Sequence, residues 1–111
     1  MTFNDIELAQ INQCMDLFME KRRPPEHLRD EHDLMYEIVG QAVFINETRN
    51  VMGRTVETEI AKIVFDRHQN GWRLFCMGRS GQWEGLFADF IPTFSDAIKV
   101  VEDDAAEIFF G

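Results

Sequence analysis

Three carboxylates and one lysine are the residues best suited to chemistry in this sequence. Asp33 lies at the start of a predicted strand, Glu47 lies on the next strand, and Glu59 and Lys62 lie on the third. Carboxylates from neighbouring strands can hold a divalent metal ion that activates water, and a lysine can steady the attacking water. A spacing of three puts Glu59 and Lys62 on opposite faces of a regular strand. The pattern favours a solvated strand face, with a small metal-dependent hydrolase or nuclease-like enzyme as the alternative.

The histidines and cysteines do not form an obvious site. His27 and His32 are five residues apart beside a proline break, so one helical face does not carry both. Cys14 and Cys76 are too isolated for a zinc site or a disulfide framework, and both occur among apolar residues at regular spacing. We therefore predict no metal site, no cofactor and no catalytic residue.

Charged residues near strand ends and turns are the best candidates for recognition of a partner. A basic run, Lys21–Arg23, falls in the last turn of a predicted helix, where cations complement the helix dipole. The same run can dock an acidic partner or a phosphate, although the structural role is favoured. The candidate recognition residues are Glu47, Arg49, Arg79, Lys21, Arg22 and Arg23.

The composition indicates a folded protein and limits its partners. The 111 residues are 45% hydrophobic and 12% aromatic, which predicts one domain over residues 1–111. Twenty acidic against eleven basic residues give a net charge of -9, which argues against binding nucleic acid. No apolar run approaches the roughly 18 residues of a membrane span, and no signal-peptide pattern begins the chain. We expect a reduced, cytoplasmic protein that binds neither nucleic acid nor membrane.

Two helices are predicted, one near each end of the chain. Asn4 caps the first, with Glu7 placed to complete a capping box, and Pro24-Pro25 stops it by about Arg23. Thr93 caps the second, which carries acidic residues unfavourable to its dipole and is expected to fray or to end before Glu107.

Alternating apolar and polar residues predict five short strands between the helices. Gly40-Gln41 and Asn70-Gly71 are hairpin signals, and the segment from Arg49 to Thr55 is interpreted as a loop. The predicted strands are 34–39, 42–47, 56–67, 72–77 and 82–87. Short connections favour antiparallel neighbours. We therefore predict an α+β fold, an antiparallel meander of about five strands with both helices packed on one face, a small closed barrel being the alternative.

Helices on one face leave the other face of the sheet less covered. Some of the large side chains on that face, such as Met35, Phe44, Phe75 or Met77, are then partly exposed. Trp72 and Trp83 also lie on neighbouring strands. Self-association is the most plausible use of exposed aromatic and aliphatic residues on a sheet.

Several segments together resemble a family of small uncharacterised bacterial proteins, known only as a domain of unknown function. The resemblance spans nearly the whole chain and rests on Glu20–Pro25 with its Lys-Arg-Arg-Pro-Pro run, Asp33-Leu34, Tyr36, Gly40-Gln41, Glu47, Arg49, Ala61-Lys62, Trp72, Arg79, Trp83, Val100–Glu102 and the end Phe109-Phe110-Gly111. Asn50 and Glu84 stand where the family pattern leads us to expect a proline and a basic residue or histidine. The resemblance implies one compact domain and supplies no mechanism.

These observations lead to one functional hypothesis and two alternatives. The main hypothesis is a non-catalytic binding or protein-interaction module that binds a protein partner or forms a homodimer, through the less covered sheet face or an edge strand. The first alternative is the hydrolase described above. The second is an acidic decoy that imitates nucleic acid, because residues 89–111 carry six acids and one lysine, among them Asp103 and Asp104.

Overall fold

The computed structural model describes residues 2–110 and has the predicted α+β architecture. Five antiparallel strands form one open sheet in the order β1-β2-β3-β4-β5, so the meander is confirmed and the closed barrel is wrong. The elements are α1 (Asp5–Arg22), β1 (His32–Val39), β2 (Ala42–Val51), β3 (Arg54–Asp66), β4 (Gly71–Met77), β5 (Trp83–Gly85) and α2 (Phe94–Asp103), with a short 3-10 turn at Glu26–Leu28. Neither helix is long and apolar enough to cross a membrane.

Local sequence signals set the ends of both helices. The Asn4 side chain accepts from the Glu7 amide at 2.8 Å, and the Glu7 carboxylate accepts from the Asn4 amide at 2.9 Å, which confirms the capping box. The Thr93 hydroxyl accepts from the Asp96 amide at 3.0 Å and begins α2. Asp104 ends α2 in the left-handed conformation, with φ of 44°, so the predicted end before Glu107 is also confirmed.

Both helices pack on the same face of the sheet, as predicted. This face takes alternate residues from each strand, and their partners across the ladders agree in register, for example Ile45 opposite Ala61 and Ile63 opposite Leu74. The core between helices and sheet includes Ile11, Met15 and Phe18 of α1, Val43, Ile45, Ile63 and Leu74 of the sheet, and Ala97, Ile98 and Val101 of α2. Phe109 is buried in the same core, whereas Gly111 lies outside the described residues.

The interpretation of Arg49 to Thr55 as a loop is wrong. Strand β2 continues to Val51, and β3 starts at Arg54, so that only Met52 and Gly53 form the turn, both with positive φ. The β-branched residues on either side fit the pleated backbone of two paired strands. The residues from Arg49 to Glu59 are all exposed, and we call this two-stranded extension the arm.

A β-bulge lies where the arm joins the body of the sheet. Ile45 pairs with Ala61 and Asn46 with Glu59, so Ile60 is the extra residue on β3. Ile60 and Ala61 are both buried on the helix-covered side. Because the bulge changes the alternation, Glu59 and Lys62 lie on the same face of the sheet, contrary to the expectation for a regular strand.

Candidate functional site

A cleft at the base of the arm brings together three of the predicted recognition residues. It measures about 170 Å³ and is lined by Arg22, His32, Leu34, Glu47, Arg49 and Phe110. Strand β2 supplies the carboxylate and one guanidinium, β1 supplies the imidazole, and the end of α1 supplies the second guanidinium. The structure therefore joins Glu47 and Arg49 to one member of the basic run, across elements distant in sequence.

Glu47 is the charged group at the centre of this cleft. It projects from the helix-covered face of β2 opposite Leu34 and is only 8% exposed. Arg49, two residues along the same strand, forms an ion pair with its Oε1 atom. His32 Nε2 lies 3.4 Å from Glu47 Oε2. A carboxylate between a guanidinium and an imidazole can bind polar ligands, but its fixed partner also makes it a structural ion pair.

Arg22, at the end of α1, contacts both the end of α2 and Phe110. Its Nε donates to the carbonyl oxygen of Glu102 at 2.9 Å, and a second nitrogen donates to the same oxygen. The guanidinium carbon lies 4.7 Å from the centroid of the Phe110 ring. Carbonyls at the end of α2 are accordingly satisfied by a cation from α1, which matches the structural interpretation of the basic run.

The other two members of the basic run form ion pairs outside the cleft. Lys21 Nζ lies 2.9 Å from Glu102 Oε1. Arg23 donates to both carboxylate oxygens of Asp33, at 2.9 and 3.0 Å, in a bidentate pair. The Arg23 hydrogen bonds, together with one from the Leu34 amide, lower the pKa of Asp33. Arg79 lies in the exposed turn between β4 and β5 and does not line the cleft.

The three carboxylates of the hydrolase hypothesis do not converge. Asp33 and Leu34 are consecutive on β1, so Asp33 lies on the face opposite to Glu47. Glu59, opposite Asn46, lies on the uncovered face of the sheet. Within residues 2–110 no group of three His, Cys, Asp or Glu side chains is placed to hold a metal ion.

The two cysteines have the surroundings of structural residues. Burial raises the pKa of Cys14 and of Cys76, which disfavours the thiolate form in both cases. Neither forms a disulfide. A raised thiol pKa is the opposite of what nucleophilic catalysis requires.

The uncovered face of the sheet carries an aromatic cluster, which includes Phe44 and Phe75 as the strand alternation predicts. The ammonium of Lys62 lies 5.8, 5.3 and 6.0 Å from the ring centroids of Phe44, Phe75 and Trp83. The Phe44 and Trp83 centroids are 6.1 Å apart. A lysine over three rings gains from cation–π attraction, and its aliphatic stem covers part of the aromatic surface. The cluster is therefore only partly exposed.

Two surfaces that the sequence did not suggest as sites flank the cleft. The first is the arm, whose strand-forming residues Val51, Thr55 and Val56 were a usable signal. The second is an apolar groove of about 400 Å³ beside the end of α2, lined by Leu86, Phe87, Val100, Asp103, Asp104, Ala105, Ala106, Ile108 and Phe109. We call this second surface the groove. No local pattern indicates it, because its walls come from two separate segments, 86–87 and 100–109.

The acidic end of the chain is partly used by the fold. Glu102 pairs with Lys21, and the buried Asp104 accepts hydrogen bonds from backbone amides of the chain end. Asp103 remains exposed at the edge of the groove. The decoy hypothesis stays a prediction.

The comparisons with known proteins assign a family without an activity. A family model described as Domain of unknown function (DUF3024) matches residues 3–111. The chain belongs to this family. No curated protein and no solved structure matches it. The match includes every element described above, so the cleft, the arm and the groove all lie within the DUF3024 domain.

Proposed function

We propose that this DUF3024 domain is a non-catalytic protein-interaction module that acts as a homodimer. The observation that carries the proposal is the arm, in which eleven consecutive residues are exposed, nine of them in strands β2 and β3 and two in the turn between them. Recognition at its base would involve Arg49, held in place by Glu47, with Arg22 beside them. Unpaired cysteines and the resemblance to bacterial proteins further support a bacterial protein of the cytoplasm.

The arm is unusual because it contributes nothing to the hydrophobic core of one copy. An isolated two-stranded hairpin is marginally stable in water, and a third strand or a packed surface normally supports it. Strand β4 pairs with β3 only from Ala61 onwards, so within residues 2–110 the stretch from Arg54 to Ile60 has no paired strand on that side. An exposed edge and an exposed turn together are features of a surface that another chain covers.

The exposed hydrophobic residues also support association. Ten large hydrophobic side chains are exposed in the described part of the chain, and three of these, Val51, Met52 and Val56, belong to the arm. Met52, at the turn, is 98% exposed. Clustered apolar residues at the end of an extension are typical of interaction surfaces, unlike single apolar residues scattered over a surface.

The arrangement of the charged groups supports a non-catalytic role. Arg23, Lys21 and Arg67 each form an ion pair with a carboxylate from a distant segment, which joins elements of the fold. Glu47 is held by Arg49, and the other two carboxylates of the hydrolase hypothesis lie on the opposite face. The pairs of Lys21, Arg23 and Arg67 join segments of the fold, Arg49 remains for surface recognition, and within residues 2–110 no converging acid–base set accompanies them.

Sedimentation velocity and native mass spectrometry of the untagged chain test this proposal. We expect a concentration-dependent species of twice 13.0 kDa. Measurement should extend to about 0.1 mM, where a homodimer with a micromolar dissociation constant is nearly fully formed. A single species of 13.0 kDa at every concentration would contradict the homodimer.

A further inference from the structure

We infer that the tip of the arm of one copy docks in the groove of a second copy, and reciprocally. This inference rests on the proposed homodimer and names the two surfaces that form it. It depends on the chemistry of the arm, on that of the groove, and on their positions in the fold.

The tip of the arm is apolar and basic. Residues 49–56 contain the apolar side chains of Val51, Met52 and Val56 together with Arg49 and Arg54, and no acidic residue. Arg49 is paired with Glu47 at the base of the arm, so Arg54 provides the positive charge of the tip, in a chain whose net charge is -9. It protrudes from the body, so it can enter a concave surface that a flat sheet face cannot reach.

The groove is apolar with an acidic edge, which complements the tip. Phe87 and Ile108, two more of the exposed large hydrophobic residues, line it together with Leu86 and Val100. Five of the ten exposed large hydrophobic side chains in residues 2–110 therefore belong to the arm or the groove. Asp103 supplies an exposed carboxylate at the edge, within the segment 89–111 of net charge -5. Burial of apolar surface with opposite charges at its rim is the usual composition of a protein interface.

Both surfaces lie at the same end of the molecule. Arg49, at the base of the arm, lines the cleft together with Phe110 and Arg22. Arg22 in turn contacts the carbonyl oxygen of Glu102 at the end of α2, and the groove begins at the same helix end. Since the arm and the groove are neighbours, a two-fold axis between two copies can place each arm over the other body. Such a contact closes on itself and produces a dimer.

The charge pattern favours a second copy over an unrelated partner. A basic tip and an acidic edge occur in the same chain, so two identical molecules complement each other twice. The uncovered sheet face is a weaker candidate, because Lys62 already lies over its three aromatic rings. Edge-to-edge pairing of β3 with β3 of another copy is a second alternative, which would leave the groove empty.

Substitution at the tip separates these interfaces. Met52→Ser removes the most exposed apolar side chain from the arm, and the matched control Met35→Ser removes another exposed methionine from the uncovered sheet face. In sedimentation equilibrium we expect Met52→Ser to raise the dimer dissociation constant about a hundredfold or more, since each dimer buries two such side chains. Met35→Ser should leave it unchanged. Circular dichroism should show both variants folded, because neither side chain is in the core.

Reversal of charges tests the pairing of the tip with the groove directly. Arg54→Glu and Asp103→Arg should each weaken the dimer about tenfold, and the double variant should recover most of the loss. Lys99→Glu, on the exposed side of α2 and outside the groove, controls for the change in net charge. Independent losses without recovery in the double variant would overturn the docking of the tip in the groove.

The outcomes distinguish this inference from the proposed function. A wild-type chain that stays monomeric contradicts both. A dimer that Met35→Ser disrupts and Met52→Ser does not assigns the interface to the uncovered sheet face and overturns the docking. A dimer that persists in Asp103→Arg but is lost in Arg54→Glu and Met52→Ser points to edge pairing of the arms, which also overturns docking in the groove.

Discussion

The carboxylate of Asp104 holds Phe109 in the core, because its Oδ1 atom accepts a hydrogen bond from the Phe109 amide at 3.0 Å. Its Oδ2 atom accepts from the Phe110 amide at 2.9 Å. Asp104 has the left-handed conformation that ends α2, and its two carboxylate oxygens accept from the amides of the segment that packs back on the body. This one residue thus links the end of a helix to the packing of the last segment.

Asp104→Ala is expected to destabilise the domain by about 3 kcal/mol. It leaves a buried amide unsatisfied and puts a side chain that disfavours the left-handed region at that position. Asp104→Asn should cost less, about 1 kcal/mol, because asparagine tolerates that conformation and keeps one acceptor for Phe109. Urea unfolding measures both. Equal stability of the Ala and Asn variants would show that the carboxylate does not hold the chain end.

Glu47→Leu is expected to leave the stability unchanged or raise it by about 1 kcal/mol. The buried carboxylate has lost most of its hydration, and an ion pair with Arg49 compensates only partly for this cost. A leucine at this position would pack against Leu34 on the neighbouring strand. Arg49 is exposed and regains water when its partner is removed.

Thermal unfolding of Glu47→Leu and Glu47→Ala measures this effect. Glu47→Ala, which removes the packing as well as the charge, should be less stable than the leucine variant. A marked loss of stability in Glu47→Leu would show that the ion pair is a net stabilising contact and would weigh against its interpretation as a site for recognition.

The sequence specified the elements of the fold because their signals are local. The capping box at Asn4 and Glu7 and the cap at Thr93 each involve residues three apart, and the alternation in β4 extends over neighbours. These interactions depend on few distant contacts. The order of the strands followed from the short connections, since antiparallel neighbours need no crossover.

The arm and the bulge were missed for a physical reason. Asn50 and Gly53 are typical of loops, and it is the pairing of residues 49–51 with residues 54–56 that makes the segment a hairpin. The bulge follows from two adjacent apolar residues, Ile60 and Ala61, both buried by the helices above them. Sequence alternation cannot decide between a bulge and a loop there, because the choice depends on tertiary packing.

The sequence predicts individual residues of the candidate site but not how they are arranged in space. Glu47 and Arg49 are predicted from their charge and their position near a strand end, and they lie together in the structure. Arg79 meets the same criteria, but it lies in the turn between β4 and β5 and does not line the cleft. The cleft also needs His32 and Phe110, which the packing of distant segments brings to it.

The pair of Arg23 and Asp33 should make the stability depend on pH in the acid range. The pKa of Asp33 is lower in the folded chain than its ordinary value, chiefly because Arg23 donates two hydrogen bonds to it. The contribution of this pair to the free energy of unfolding is therefore complete above about pH 4 to 5. It is lost as the pH falls through the lower pKa that Asp33 has in the folded chain. With both side chains partly exposed to solvent, the pair contributes about 1 kcal/mol or less.

Unfolding of wild type and Arg23→Gln between about pH 2 and 7 measures this contribution. The variant should be less stable near neutral pH, and the difference should shrink at the acid end. Arg79→Gln controls for the removal of one positive charge, since Arg79 lies in the exposed turn between β4 and β5 and does not pair with Asp33. A difference that stays constant over the whole range would rule out the titration of Asp33 as its cause.

Lys62 is expected to stabilise the uncovered sheet face both through its charge and through its stem. Its ammonium lies within about 6 Å of three ring centroids, and cation–π attraction at partly exposed sites contributes about 0.5–1 kcal/mol. Lys62→Met keeps an unbranched apolar stem and should lose about this amount, whereas Lys62→Glu places a carboxylate against the negative ring faces and should lose more.

Chemical unfolding of the two variants, with Trp83 fluorescence as a local probe, tests whether Lys62→Glu loses more stability than Lys62→Met. Arg73→Met, on the neighbouring strand but over Phe90 instead of the cluster, is the matched control and should not change the environment of Trp83. If Lys62→Met is as stable as wild type, packing alone holds the three rings in place. The Lys62 stem is then free to move off the rings, and this movement exposes more aromatic surface on the face. In that case an apolar partner has access to the face, and a smaller side chain at position 62 should strengthen association there.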